Sequence, residues 1–346
     1  MKYNWKKLFC MPLSCILLMG MFNACGGAAP ETTTAAPTEA EQTGPLKVLV
    51  IGNSASTDAG HLLHTIAAAE GFERELILGI LYHSGCPLSR HVENSVLDRK
   101  DYSFYLSSSA TPDQPRTETP NTTLLEGLRF MDWNVIVIQG STATNYKEGT
   151  FTNGDLQKLQ AYVDANKLNK NAIYMWHMFA ANSQSEELIV KWETQTGNGP
   201  EVSSYRAIYA QFATRADVFA AITGNVEKYI LTDSTISALI PAGTAVENAL
   251  TSYLEEAEIN RDYVHLSDFS RVVSAYTWYC VLAGIDHLDE IKLDAIGKTF
   301  LKSTEDKTRD RVLTEAEKAI ILESVNNALA NPLKVTQSQY TERPAQ

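Results

Sequence analysis

Lys47-Val-Leu-Val-Ile-Gly-Asn-Ser-Ala-Ser56 is the stretch that decides the fold. Its apolar run, Val48 to Ile51, stops at Gly52-Asn53-Ser54, and apolar residues resume at Leu62, Leu63, Ile66 and Ala67. A short apolar run ended by glycine suits a strand buried on both faces. The later i, i+1, i+4 and i+5 spacing suits one face of a helix. Ser54 then stands at the carboxyl end of the first strand, where an open α/β sheet receives its ligands.

Outward from this stretch, strand and helix patterns alternate. Further strands are predicted over 75–82, 134–139, 172–178 and 237–241, with 102–106 as one strand of a small hairpin. Helices are predicted over 59–70, 88–96, 122–130, 155–166, 205–222, 244–254, 267–282 and 315–330. Asn121 or Thr122 would cap the third of these, and Ser267 with Gly284 would bracket the seventh. Alternation of this kind implies a parallel sheet covered on both faces. The charged stretch 286–314 shows no pattern.

The ends of the chain differ in composition from this body. Lys2, Lys6 and Lys7 precede an apolar segment from Leu8 to Phe22, too short for a good membrane span and of signal-peptide length. Residues 1–24 are therefore expected to be a leader. Residues 25–45 lack large apolar side chains and are expected to form a flexible tether. The domain is expected over 46–332, followed by a polar tail, 333–346, that frays. Removing the leader takes away three lysines, leaving 26 basic against 41 acidic residues, so a net charge of −12 becomes −15. Such an acidic chain argues against nucleic acid and against a polybasic membrane contact. Two cysteines, Cys86 and Cys280, fall in the body, compatible with a disulfide or with two buried thiols. No Cys or His spacing suggests zinc, and no cofactor is expected.

Asp262-Tyr-Val-His265 lies just before the 267–282 helix. A carboxylate three residues before a histidine in a loop can turn back to Nδ1–H. Nε2 is then free to take a proton from a serine, which near neutral pH is a poor nucleophile without such a base. At this point the chain resembles the SGNH/GDSL hydrolase superfamily over about 46–284. Gly52-Asn53-Ser54 resembles the nucleophile motif, with Asn53 where the family name has Asp. Gly85 matches the glycine whose N–H lines the oxyanion hole, and Asp262-x-x-His265 matches the catalytic pair. Gln139-Gly140-Ser141 is similar to the Gln-Gly-Glu of the sialate and xylan acetylesterase branches. Residues 240–248 also look like carbohydrate-esterase branches. Ala24-Cys25 resembles a bacterial lipobox, although Phe22 departs from it; an ordinary signal peptide or an uncleaved anchor is the alternative.

The resemblance implies a flavodoxin-like three-layer sandwich with a central, mainly parallel sheet. It implies a serine esterase with Ser54 as nucleophile, His265 as base and Asp262 as its orienter. The oxyanion donors would be Ser54 N–H, Gly85 N–H and the Gln139 amide. Asn53, His83, Trp176 and His177 are the expected substrate contacts, with His91 a further candidate. Trp192 and the Thr196–Pro200 loop would form a rim or lid. His61 and His64 share a helix face but lack a third partner for a metal, and a partly exposed face is expected there. The implied substrate is an acylated carbohydrate or another small ester. Cys25 would carry lipid, the sole membrane contact, at a bacterial cell surface or in the periplasm. A non-catalytic glycan-binding lipoprotein on the same fold is the alternative; a two-lobed solute-binding lipoprotein fits less well, since the strands suffice for one sheet.

Overall fold

In the computed structural model the described residues are 44–196, 206–303 and 307–344. The leader, Cys25 and nearly all of the tether lie outside them, as do residues 197–200 of the expected lid. From Pro45 onward the chain forms one unit.

β1 (Leu46–Gly52) is the centre of the sheet, because Val48 to Ile51 are wholly buried on both faces. β2 (Leu76–Tyr82) pairs with one edge of β1 in parallel, Leu46 opposite Leu76. β3 (Tyr102–Ser108) and β4 (Thr117–Thr122) extend that side as an antiparallel hairpin. β5 (Val135–Ile138), β6 (Ile173–His177) and β7 (Ile236–Ile240) follow in parallel on the other edge of β1. The order is β4-β3-β2-β1-β5-β6-β7. Its five parallel strands have the flavodoxin-like sequence, and the chain reverses direction across the sheet between β1 and β5. The outer strand β4 is polar and exposed and carries Pro120, which blunts the open edge.

α1 (Ser54–Ala69) leaves β1 directly. α2 (Leu88–Leu97), α3 (Leu124–Arg129) and α4 (Asp155–Asn166) pack together. α5 (Glu186–Thr196) and α6 (Arg215–Asn225) lie between β6 and β7 in the chain. α7 (Ala242–Leu250), α8 (Asp268–Ala283) and α9 (Glu315–Ala330) pack on one another, with α8 also against α1. α8 is buried without interruption from Asp268 to Leu282, as a helix enclosed by neighbours must be. Together these layers form the flavodoxin-like three-layer sandwich.

Several expected boundaries move for local reasons. α1 begins at Ser54, five residues early, because Asn53 caps it through Ala55 N–H. The helix expected from 122 begins at 124: residues 117–122 pair as β4, and Thr123 and Glu126 form the capping box. The helix expected over 205–222 is broken, with Thr214 and Asp217 starting α6 afresh. The expected strand over 102–106 is one arm of the β3–β4 hairpin, which joins the main sheet through β2.

The tail is laid down rather than frayed. Thr336 N–H donates to Asn248 Oδ1 at 2.7 Å, Tyr253 N–H to Tyr340 O at 2.9 Å, and Arg343 pairs with Glu258 at 2.6 Å. Residues 286–303 and 307–314 form a strap. It buries Leu293, Ile296 and Phe300, and its Lys292 N–H reaches Glu70 Oε1 at 2.9 Å, the acceptor that also takes Tyr276 O–H. Cys86 and Cys280 are free, buried thiols.

Candidate active site

The carboxyl ends of β1, β2 and β5 meet at one side chain. Asn53 is 2% exposed, and all of its amide capacity is used. Nδ2 donates to Cys86 O at 3.1 Å and to Gly140 O at 3.0 Å. Oδ1 accepts from Ala55 N–H at 3.1 Å and from Gln139 Nε2 at 2.5 Å. Asn53 is therefore no substrate contact. It is the knot that ties the Ser54 turn to the Gly85 loop and to the end of β5.

Gln139 departs from expectation for the same reason. It is wholly buried, and its Nε2 is committed to Asn53 Oδ1 and, at 3.4 Å, to Gly140 O. Its Oε1 accepts from Ser56 Oγ and from His177 Nδ1 at 2.8 Å. The amide braces the floor of the site instead of presenting a donor to the cleft. The chain passes so close here that a Cβ at Gly52 would lie 2.2 Å from Ser56 Oγ and 2.9 Å from Gln139 Cγ.

Ser54 is the first residue of α1, so no carbonyl four residues back takes its N–H. Gly85 is exposed, at φ +60°, a conformation that favours glycine, and among the described residues no acceptor takes its N–H. Each residue thus keeps an unclaimed main-chain donor, Ser54 on the wall of two cavities and Gly85 on the neighbouring loop, lining neither. Thr142, from the loop after β5, lines the same cavity as Ser54, and no protein hydrogen bond engages its hydroxyl.

Asp262 and His265 are joined. Nδ1 lies 3.1 and 3.0 Å from the two carboxylate oxygens, and Asp262 Oδ1 also accepts Val264 N–H at 2.9 Å and His265 N–H at 2.8 Å. Burial pushes the Asp262 carboxyl upward, but these bonds outweigh it and hold the group below the usual carboxylate range. No direct hydrogen bond joins the Ser54 and His265 side chains. Both line a cavity of about 20 Å³ whose walls include Phe179, Ala180, Ala181, Ala242 and Val246. The Trp192 ring, on α5, lies 5.2 Å from the His265 ring.

Two supports were not visible as motifs. Asp58, one turn after Ser54, accepts from Arg261 Nη1 at 2.9 Å and from Leu266 N–H at 3.0 Å. It fastens α1 to the His265 loop. Behind that loop, buried Arg215 contacts Glu247 through Nε at 3.1 Å and Nη2 at 3.0 Å, and Asn260 Oδ1 through Nη1 at 2.9 Å. Glu247 also takes Ala181 N–H at 3.0 Å, so the pair fixes the cavity wall. Glu247→Leu would leave the guanidinium buried and under-paired. It is expected to lower stability by ~3–5 kcal/mol in chemical denaturation, most of it recovered in Arg215→Met/Glu247→Leu.

The remaining expected contacts divide. Successive strand residues point to opposite faces. His177 (1% exposed) lines the small cavity, whereas Trp176 (0%) packs in the core against Phe151, ring centroids 5.8 Å apart, and is no substrate contact. His83 is half-buried, with Nδ1 3.0 Å from Asp101 O, and lines neither cavity at Ser54. His91 is wholly buried, its Nδ1 2.8 Å from Tyr102 Oη. His61 and His64 are buried beside Phe300, not on a partly exposed face.

Fold and site together define a flavodoxin-like domain with a serine and an Asp–His pair assembled where its strand order reverses. Residues 47–199 and 201–298 match DUF4886, a domain of unknown function, and the chain belongs to that family. Among solved structures it is similar to a DUF4886 family protein from Bacteroides uniformis ATCC 8492. The two share 25% identity and a TM-score of 0.66 over 86% of this chain and 100% of that one. A candidate SGNH hydrolase from Slackia heliotrinireducens shares 15% identity and a TM-score of 0.36 over 70% of this chain and 98% of that one, too loose a likeness to carry an argument. No curated protein matches the chain.

Proposed function

We propose that this protein is a serine ester hydrolase of the SGNH type that removes acetyl or similarly small acyl groups from carbohydrates. The observation that carries the reading is the Asp262–His265 pair on the same cavity as a serine whose own N–H is unused. Ser54 Oγ attacks the ester carbonyl carbon as its proton passes to His265 Nε2, and Asp262 holds the imidazole by Nδ1–H. The carbonyl electrons collect on the oxygen, facing Ser54 N–H and Gly85 N–H. The alcohol leaves with the proton from Nε2, and a water, deprotonated by the same nitrogen, releases the acid from Ser54.

The cavity supports a small acyl group. About 20 Å³ is little more than the space one water needs, so it suits a methyl-sized group. Trp192 beside His265 offers a flat apolar wall for a sugar ring. The lipobox-like Ala24-Cys25 supports action outside the cytoplasm, on a lipid anchor at Cys25.

The test is p-nitrophenyl acetate turnover by the protein from Leu46 onward, beside Ser54→Ala. The expected result is turnover that falls ~10⁴-fold or more in the variant. Equal rates in both would overturn the mechanism. They would favour the glycan-binding alternative, for which the commitment of Gln139 away from the cleft is the one supporting observation.

A further inference from the structure

The chain is acidic overall, with 41 Asp and Glu against 29 Lys and Arg, yet one cavity against Ser54 reverses the balance. Its volume is about 200 Å³, and Ser54, Thr57 and His265 form one side of it. Arg116, Arg261, Arg271 and Lys302 also line it, with Asp58 the one carboxylate among the lining residues. These cations come from four separate places: the β3–β4 hairpin, the loop before α8, α8 itself and the strap. Their gathering costs energy, since burial and then the mutual repulsion of Arg271, Arg116 and Arg261 push the Lys302 ammonium below its ordinary range.

The protein does not use up these donors. Arg261 Nη1 is committed to Asp58 and, at 2.6 Å, to Leu266 O. Arg271 is different. Its side chain is 1% exposed, and Nη1 bonds Asp268 Oδ1 at 2.9 Å and Phe300 O at 2.7 Å. Its Nε and Nη2 are buried and make no hydrogen bond among the described residues, with Asp58 Oδ1 3.8 Å from Nε. Arg116 lies over the Tyr105 ring at 3.6 Å, with Nη1 buried and unbonded; Glu118 and Asp58 are the carboxylates that act on it. Lys302 Nζ forms no ion pair among the described residues. His61 Nε2, also unbonded, belongs to a ring kept neutral by burial and then by Arg271, Arg116 and Lys302. Buried guanidinium N–H groups without acceptors are costly, and a bound oxyanion would satisfy them with strong, charge-assisted bonds.

We propose that this cavity is a subsite for an oxyanion, a carboxylate or a sulfate, carried by the sugar whose ester Ser54 attacks. The assignment rests on the esterase reading for its orientation. The 20 Å³ cavity takes the acyl group, so the cationic cavity, on the same serine and histidine, receives the alcohol side. The substrate class is thus an acylated acidic sugar.

Calorimetry on the protein from Leu46 onward, at low salt, would compare D-glucuronate, D-glucose 6-sulfate and D-glucose. The expected result is that at least one acidic sugar binds about tenfold or more tighter than glucose. Which one does so separates carboxylate from sulfate. Lys302→Gln and Arg116→Gln, at exposed and half-buried positions, are each expected to remove about tenfold of that preference. Equal affinities for all three sugars, binding of inorganic sulfate with neither acidic sugar, or an undiminished preference in both variants would overturn the subsite. These outcomes are read as binding. A failed p-nitrophenyl acetate assay with charge-selective binding would overturn the esterase and leave the subsite standing.

Discussion

Asp262→Asn is expected to lower kcat on p-nitrophenyl acetate by ~10⁴-fold while leaving the fold intact. Asp262 Oδ1 accepts two main-chain N–H groups as well as facing Nδ1, and an asparagine oxygen can keep both of those bonds. The new amide nitrogen then takes the place of Oδ2, which stands 3.0 Å from Nδ1 in the native site. An N–H set against Nδ1 forces the ring to carry its proton on Nε2. That nitrogen can no longer accept the proton of Ser54. The change is one of tautomer, so the denaturation midpoint should move far less than the rate. A loss of kcat below tenfold would show that Asp262 does not orient the base.

The second large effect is acid unfolding. His61, His64, His91 and His177 are all buried, and burial, the largest cause in each, pushes their pKa values down, to about 3 for His91 and His177. In the unfolded chain each returns to ~6.5. Between the two values the unfolded chain holds a proton that the folded chain refuses, so stability rises with pH across that window. It is complete above ~pH 7 and drains away as the pH falls below 6.5, by about 1.4 kcal/mol per pH unit for each ring. The three rings with large shifts, His61, His91 and His177, together remove ~4 kcal/mol per unit, against a usual total of ~5–15 kcal/mol, and His64 adds to the loss in the same direction. Asp262, whose folded pKa is lowered, adds a further loss at pH values below its unfolded ~3.9. The expected midpoint is near pH 5, read by far-ultraviolet circular dichroism. A chain still folded at pH 4 would contradict this.

What could be read from the sequence was contiguous. Val48 to Ile51, the glycine that ends them, and the Ser267 and Gly284 brackets of α8 are local signals, and the structure has those elements there. Asp262-x-x-His265 is also local, since one turn brings the two side chains together. The first turn of α1 was hidden because Ser54 to Asp58 is polar, and its start depends on the Asn53 cap. Gln139 could be placed at the end of β5 but not aimed. Its direction depends on Asn53 and His177, which reach it from other strands. Asp58 and Arg261 are 203 positions apart, and no spacing rule connects them. Stretch 286–314 had no periodicity to read because its regular elements are only two or three residues long, 295–296 paired with 311–312 and a 3-10 turn over 298–300; its described part packs on α1 and α8 and brings Lys302 to the cationic cavity.

The amide at position 53 also accounts for a departure from the motif this chain resembles. Its two N–H groups point at two carbonyl oxygens, Cys86 O and Gly140 O. An ionised aspartate there would turn lone pair against lone pair at both contacts, and the protonated acid could serve only one of them. Residue 53 and residue 139 answer each other, amide to amide. At the Gln139 contact the oxygen of residue 53 only accepts, so an aspartate would keep that bond; what it would lose are the two donations that tie the turn to the Gly85 loop and to the end of β5.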